Sequence, residues 1–244
     1  MDILANPYLN VMFNALISGG AFLCFVLSLS TLALKYPRRS VPYLTMLSFV
    51  MGITQLYAWF NLNTMFFKPD WLNYIFVGLN FLIGPGVYYF YKATGHEDFK
   101  PDRTSQLAFL PGLIATLLIP LINLVAPQVM PHDPRQYFYT GKPSFIDGIF
   151  TLAMLHNAAY YVKLFLVTRP ILRANKQMQS NGGLTAFLMF FAIITLINLY
   201  GIFAYLSKDI RHFYADACII TLLIVGFLVF ALRYPQYFLR VKPE

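Results

Sequence analysis

Charged residues are scarce in this chain of 244 residues: only 11% are Asp, Glu, Lys or Arg, whereas 58% are hydrophobic. A soluble globular domain carries roughly 25% charged residues, so the composition excludes that class. Long apolar runs instead predict a chain that crosses a lipid bilayer, and they must be helical because open strand edges cannot face lipid. We therefore expect an all-α polytopic membrane protein.

Cysteine is also rare. The two cysteines, Cys24 and Cys218, both lie in apolar runs, where a thiol behaves as a small hydrophobic group. Nothing in the sequence pairs them, so they do not indicate a redox compartment.

Several chemistries lack the residues that they require. The last apolar run, 213–232, contains no Lys, which excludes a retinal protein, and the chain has neither an HExxH nor a GxSxG motif. With only four histidines, we expect no metal site, no cofactor and no catalytic residue. No Glu occurs in any apolar run and no internal repeat is evident, whereas a proton-coupled transporter is expected to have deep acids and a repeat.

Seven apolar runs are long enough to cross a bilayer, and the segments between them carry most of the charge. We predict one seven-helix domain over residues 1–244, with spans at 11–34, 41–66, 72–91, 107–126, 145–167, 184–206 and 213–232.

The basic residues are unevenly divided between the two ends of these spans. Thirteen of the 18 Lys and Arg residues fall on one side, from Lys35 to Lys242, and five fall on the other: Lys68, Arg135, Lys142, Lys208 and Arg211. The positive-inside rule places the thirteen in the cytoplasm. The N-terminus is then outside and the C-terminus cytoplasmic, and topology accounts for most of the net charge of +8.

Polar groups inside a span are costly and are therefore candidate site residues. Eight of them are predicted ligand contacts: Gln55, Tyr57, Asn80, His156, Asn157, Asn198, Tyr200 and Asp216. Most fall in the middle or outer half of the predicted bundle, so they are compatible with an outward cavity. They are also compatible with hydrogen bonds that only hold helices together, which is the favoured interpretation for any single Asn or Gln. For Asp216, we expect His212 or Arg211 as the partner.

The third span contains Gly84-Pro85-Gly86 followed by four aromatic residues, 88–91. The glycines allow a neighbouring helix to approach, and Pro85 can bend the helix. We expect the aromatic residues to anchor the span at headgroup depth.

Three segments resemble one known family. FLIGPGVYYFYKA at 81–93, FKPDRTSQLAFLPGLI at 99–114 and LRYPQYFLRV at 232–241 are similar to parts of the membrane-embedded N-terminal region of bacterial AraC-type helix-turn-helix regulators. The family often has a His shortly before the Pro that opens its fourth span; here Ala108, Phe109 and Leu110 precede Pro111. Related seven-helix modules precede histidine kinases and cyclases.

The resemblance implies a sensory module of the bacterial inner membrane that binds a small or lipid-like signal. Membrane lipid surrounds it, a homodimer is implied, and DNA is contacted only indirectly, through an output domain that this chain does not contain. Signal transmission is predicted at Gly84, Pro85 and Gly86 and at the exit of the last span, Arg233-Tyr234-Pro235. The alternatives are a small-molecule transporter or channel and an intramembrane enzyme.

Overall fold

The computed structural model describes residues 7–34, 39–63, 70–95, 99–126, 145–174, 182–207 and 209–233, and every regular element in these ranges is an α-helix. In chain order the helices are α1 (Pro7–Leu32), α2 (Val41–Leu62), α3 (Asp70–Asn80), α4 (Ile83–Gly95), α5 (Arg103–Leu107), α6 (Leu110–Val125), α7 (Phe145–Ala174), α8 (Gly182–Leu206) and α9 (Ile210–Arg233). The all-α prediction is confirmed for this part of the chain.

Five stretches of helix are long and apolar enough to cross a membrane: Pro7–Leu32, Val41–Asn61, Arg103–Val125, Phe145–Thr168 and Arg211–Phe230. Helices α3 and α4 meet at a bend of 40° and form a sixth if the pair is one broken span. In α8 the apolar stretch Ala192–Ala204 is shorter than a span. The span at 184–206, and with it the count of seven, stays a prediction.

The bundle exposes apolar side chains and buries polar ones. Leu117 is 76% exposed and Leu124 is 79% exposed, whereas Gln55, Asn80 and Asn157 are buried. Extended apolar surface of this kind is rare on soluble proteins and marks contact with lipid or a partner. This inverted distribution, together with the length of the helices, indicates a membrane protein.

Helix α2 lies inside the bundle and packs against α1, α3, α4 and α9. Helix α9 packs against α1 and α8 as well, while α7 packs against α3, α4 and α8, and α6 packs against α3. Side chains that point inward from α2, α3, α4, α7 and α9 can therefore meet.

A polar junction holds α1, α2 and α9 together. The Gln55 amide nitrogen donates to the carbonyl oxygen of Ala217 at 2.8 Å and to the hydroxyl oxygen of Thr221 at 3.0 Å. Thr221 in turn donates to the carbonyl oxygen of Leu16 at 3.1 Å. Gly20 makes room for this contact, because a Cβ there would collide with the Thr221 hydroxyl. Gln55 thus joins helices in this arrangement.

The aromatic residues of α4 pack against protein and do not face outward. Tyr88 and Tyr89 are each 4% exposed, and Tyr91 is 6% exposed. Tyr89 lies among Tyr43 and Phe109, with ring centroids 6.1 and 5.8 Å away. The rings cannot anchor in lipid headgroups as predicted, because α4 is covered on both sides, by α2 and by α7. Their depth in the bilayer stays a prediction.

Candidate functional site

Helices α3 and α4 are separated by a break at Phe81-Leu82. Both residues donate their backbone N–H to the carbonyl three residues earlier, Phe81 to Gly78 at 3.2 Å and Leu82 to Leu79 at 2.9 Å. This is the tighter 3₁₀ pattern. Pro85 has no N–H, so the carbonyl of Phe81 lacks its usual helical donor. The bend was predicted at Gly84-Pro85-Gly86 but lies about one turn earlier, at Phe81-Leu82. This is where the hydrogen bond from residue 85 to the Phe81 carbonyl would have formed in a regular helix.

The side chain of Asn157 spans this break. In a regular helix the N–H of Gly84 would donate to the carbonyl of Asn80. Instead, Gly84 N–H donates to Asn157 Oδ1 at 2.7 Å, and Asn157 Nδ2 donates to the Asn80 carbonyl at 2.8 Å. One amide from α7 thus replaces one helical hydrogen bond with two. Asn157 is 2% exposed, so both backbone groups depend on it for a partner.

Two glycines let the neighbouring helices reach the break. A Cβ on Gly84 would lie 2.6 Å from Asn157 Cα, and a Cβ on Gly86 would lie 2.7 Å from Met46 Cε. Both distances are far shorter than van der Waals contact. The prediction that these glycines allow close helix approach is confirmed.

A small internal cavity of about 50 Å³ adjoins the break. Its polar lining consists of Thr54 from α2, Asn80 from α3, Asn198 from α8 and Asp216 from α9. The apolar residues that line it are Met51, Phe76, Ile83, Phe150, Met154, Ile197, Phe213, Ile220 and Leu223, with Gly201 completing the wall. This volume holds a few water molecules.

Asp216 brings the only carboxylate among the described residues that line this cavity. Its Oδ1 is buried and hydrogen bonds to no described residue, and Gly201 leaves space beside the carboxyl group, since a Cβ there would lie 3.1 Å from Oδ2. The predicted pairing with His212 or Arg211 is not formed at Oδ1. His212 Nδ1 lies 3.1 Å from the Tyr200 hydroxyl, and Arg211 Nε lies 2.9 Å from Asp209 Oδ2.

Three of the eight predicted site residues, Asn80, Asn198 and Asp216, meet at the cavity, and the other five do not line it. His156 lies on another face of α7, beside the Phe81 carbonyl and between the rings of Phe81 and Tyr160. Its Nδ1 is buried without a partner among the described residues. Ligand contact by these residues stays a prediction.

The two predicted tyrosines do not line the cavity. Tyr57 stacks on the lining residue Phe76 with centroids 4.0 Å apart and an interplanar angle of 6°, and Tyr200 contacts His212. The sequence analysis missed Thr54 and Gly201. Each is the chain neighbour of a predicted residue, Gln55 and Tyr200 respectively, and a search for small or hydroxyl residues beside each candidate would have found both.

A larger groove of about 460 Å³ runs between α7 and α8. It is lined mostly by apolar residues, with Asn157, Thr168, Thr195 and Asn198 as its polar members apart from Tyr161. Drug-sized ligands occupy sites of roughly 300–1,000 Å³, so this groove, unlike the internal cavity, has the size for an acyl chain. Asn198 lines both spaces.

Of the predicted exit from the last span, Arg233 forms the end of α9 and is exposed. Tyr234 and Pro235 lie outside the described residues.

Asp209 and Arg211 form an ion pair where α9 begins. We expect this pair to change the acid titration of the Asp209 carboxyl group. The Arg211 side chain and backbone N–H donate to Asp209 and lower the pKa of its carboxyl to about 2. Because the pKa of Asp209 is depressed in the folded state, the ion pair stabilises the fold at pH values above the ordinary Asp pKa of about 3.9. That stabilisation is lost as the pH falls toward 2. The ion pair is partly exposed, so the contribution stays below about 1 kcal/mol.

We expect Arg211→Gln to raise the Asp209 pKa toward its ordinary value, measured by a ¹³C NMR titration of Asp carboxyl groups. Asp102 is the internal reference, because its low pKa arises mainly from the N–H of Ser105 and should not move. An unchanged Asp209 titration in Arg211→Gln would show that the ion pair is not formed.

The fold and cavity define a class: the described residues form an all-helical protein with five or six stretches long and apolar enough to cross a membrane. A small, mostly apolar cavity with four polar residues lies beside a broken helix. No family model matches the chain, and neither a curated protein nor a solved structure matches it. The resemblance to the membrane region of AraC-type regulators stays a prediction.

Proposed function

We propose that this protein is a membrane sensory module, in which a ligand bound at the internal cavity changes the bend between α3 and α4 and the position of α9. Membrane insertion follows the predicted layout of seven spans, with the N-terminus outside and the C-terminus cytoplasmic. The excess of Lys and Arg on one side supports this orientation.

One observation carries the proposal: the cavity and the helix break share residues. Asn80 and Ile83 stand on either side of the break and both line the cavity. The carbonyl of Asn80 accepts the Asn157 hydrogen bond that bridges the break. A ligand that contacts the Asn80 side chain therefore acts on the residue where α3 ends, and a different affinity for two arrangements shifts their populations.

The signal has a direct path to the opposite end of the bundle. Asp216 lies near the start of α9, whose last residue is Arg233, and α9 spans about 36 Å at 1.5 Å per residue. Phe227 of α9 contacts Phe90 of α4, with ring centroids 6.3 Å apart. Movement of either helix is thus passed to the other near the predicted cytoplasmic end.

The resemblance to AraC-type regulators supports a transcriptional output, a homodimer and a bacterial inner-membrane location. The size of the cavity restricts a ligand there to a few heavy atoms. A lipid-like signal would instead occupy the groove between α7 and α8, where it would meet Asn198 from the other side.

The proposal is tested by a distance measurement in lipid nanodiscs. Cysteines replacing Lys100 and Leu232, both exposed, carry spin labels; Cys24 and Cys218 are buried and free and are replaced by alanine. The panel comprises sodium, potassium and ammonium ions, a primary amine and a medium-chain fatty acid. We expect at least one member to shift the distance distribution, with the shift lost in Asp216→Asn for a cavity ligand or in Ala158→Phe for a groove ligand.

Other outcomes would contradict the sensory role. If a panel member raises thermal stability, as any ligand of the folded state must, but leaves the distance unchanged, the site is not coupled to the end of the bundle. Sustained flux of a panel member into liposomes would make the protein a transporter or channel, and turnover of a substrate would make it an intramembrane enzyme.

A further inference from the structure

The polar residues that line the internal cavity, Thr54, Asn80, Asn198 and Asp216, all carry a side-chain oxygen. Asn80 Nδ2 donates to the carbonyl of Phe76 at 2.8 Å, and Asn198 Nδ2 donates to the carbonyl of Ile194 at 2.8 Å. Each asparagine therefore uses one of its two amide N–H groups on its own helix, one turn back. The amide oxygen is left without a hydrogen bond to any described residue, so each of these two lining residues has a free oxygen acceptor.

Thr54 follows the same pattern. Its hydroxyl donates to the carbonyl of Val50 at 3.0 Å, which leaves the lone pairs of the oxygen as acceptors. Asp216 adds a carboxylate whose Oδ1 has no partner among the described residues. Oxygen groups from α2, α3, α8 and α9 thus surround one small space.

No positive side chain balances this oxygen cluster from within the cavity. None of the described residues that line it is Lys, Arg or His. His212, one turn before Asp216, is hydrogen bonded to Tyr200, and Arg211 is paired with Asp209. A carboxylate placed among apolar side chains without a counter-charge is costly, so a mobile cation would relieve that cost.

We propose that the cavity binds one monovalent cation of the size of Na⁺, held by the carboxylate of Asp216, the amide oxygens of Asn80 and Asn198 and the hydroxyl of Thr54. A single carboxylate balances a single positive charge. Calcium takes six to eight oxygens with several carboxylates in its usual sites, and magnesium keeps several waters, for which a cavity of about 50 Å³ has too few acids and little room. Na⁺ is then the ligand of the cavity in the proposed function, on which this assignment rests.

The direct test is binding of ²²Na⁺ to the purified full-length chain in nanodiscs at constant ionic strength, with choline as the replacement cation. We expect saturable binding of one ion per chain, displaced by unlabelled Na⁺ and abolished in Asp216→Asn. Asn198→Ala and Thr54→Val each remove one oxygen and should weaken binding by about tenfold, which corresponds to 1.4 kcal/mol. The matched control is Asp209→Asn, which removes an acid from the surface ion pair and should bind like wild type.

Thermal unfolding keeps the test decisive if Asp216→Asn fails to fold. Na⁺ in place of choline should then raise the unfolding temperature of wild type and of Asp209→Asn, and by less in Asn198→Ala and Thr54→Val. Equal binding in wild type and Asp216→Asn, or no binding to wild type, would overturn the inference. A stability that responds to pH but not to Na⁺ would likewise overturn it, because a proton would then be the occupant.

The two proposals fail separately. Bound Na⁺ without any change in the distance between residues 100 and 232 supports the cation site and contradicts the sensory role. A distance change caused by another member of the panel, without ²²Na⁺ binding, supports the sensory role and contradicts the cation site.

Discussion

Replacing Asn157 by alanine is expected to lower the free energy of unfolding by about 2–4 kcal/mol, because it leaves two buried backbone groups without partners at about 1–3 kcal/mol each. These groups are the N–H of Gly84 and the carbonyl of Asn80, which the Asn157 amide bridges. Unfolding by SDS in mixed micelles measures the change.

Asn123→Ala is the matched control. Asn123 is also an asparagine in an apolar helix, but it accepts one hydrogen bond, from the Tyr74 hydroxyl at 2.8 Å. Its loss should cost about 0.6 kcal/mol, the average for an interhelical side-chain bond in a membrane protein. Equal costs for the two variants would mean that the Asn157 bridge has no special role at the break.

The second large effect is expected at Gly84. In Gly84→Ala the new Cβ would lie 2.6 Å from the Cα of Asn157, and a backbone atom cannot rotate away as a side chain can. Helices α4 and α7 must therefore separate. Overpacking typically costs 1–3 kcal/mol, and we expect Gly84→Ala to lower the free energy of unfolding by about 3 kcal/mol or to prevent folding. The same SDS titration, or the yield of monodisperse protein, reports the outcome.

Gly148→Ala provides the contrast on α7. A Cβ at Gly148 meets no atom within 4 Å, so alanine should be neutral or should stabilise the helix by about 0.5–1 kcal/mol. Tolerance of Gly84→Ala at the level of Gly148→Ala would contradict the close packing of α4 on α7.

Composition and apolar runs predicted the helical class because lipid leaves the backbone few options. The position of the break was harder to predict. Pro85 signals a bend, but the chain bends where the donor is lost, at the Phe81 carbonyl, and the bridging group comes from Asn157, 73 residues away from Gly84. Such a pairing depends on which helices are neighbours, and a single sequence does not state this.

Only part of the candidate site could be predicted, because the sequence does not state which helices are neighbours. The depth of a residue along a span can be read from sequence. Asn80, Asn198 and Asp216 were predicted at similar depth, and they line the same cavity. The direction of each side chain around its helix depends on packing, which turned Gln55 toward α9 and His156 toward Phe81. The burial of Tyr88 and Tyr89 could not be predicted either, because an aromatic cluster at the end of a span is typical of both a headgroup anchor and a packed core.

The central claim, that the cavity controls the break between α3 and α4, is tested most directly by amide hydrogen exchange at Gly84 in nanodiscs. At alkaline pH in choline buffer the unpaired Asp216 carboxylate should strain the arrangement in which Asn157 bridges the break. Asp216→Asn keeps the size of the side chain while removing the charge. We predict that exchange in residues 81–86 slows by about fivefold, or 1 kcal/mol, in Asp216→Asn. Exchange in residues 43–51 of α2 should not change. Equal rates at the break in wild type and Asp216→Asn would contradict the account.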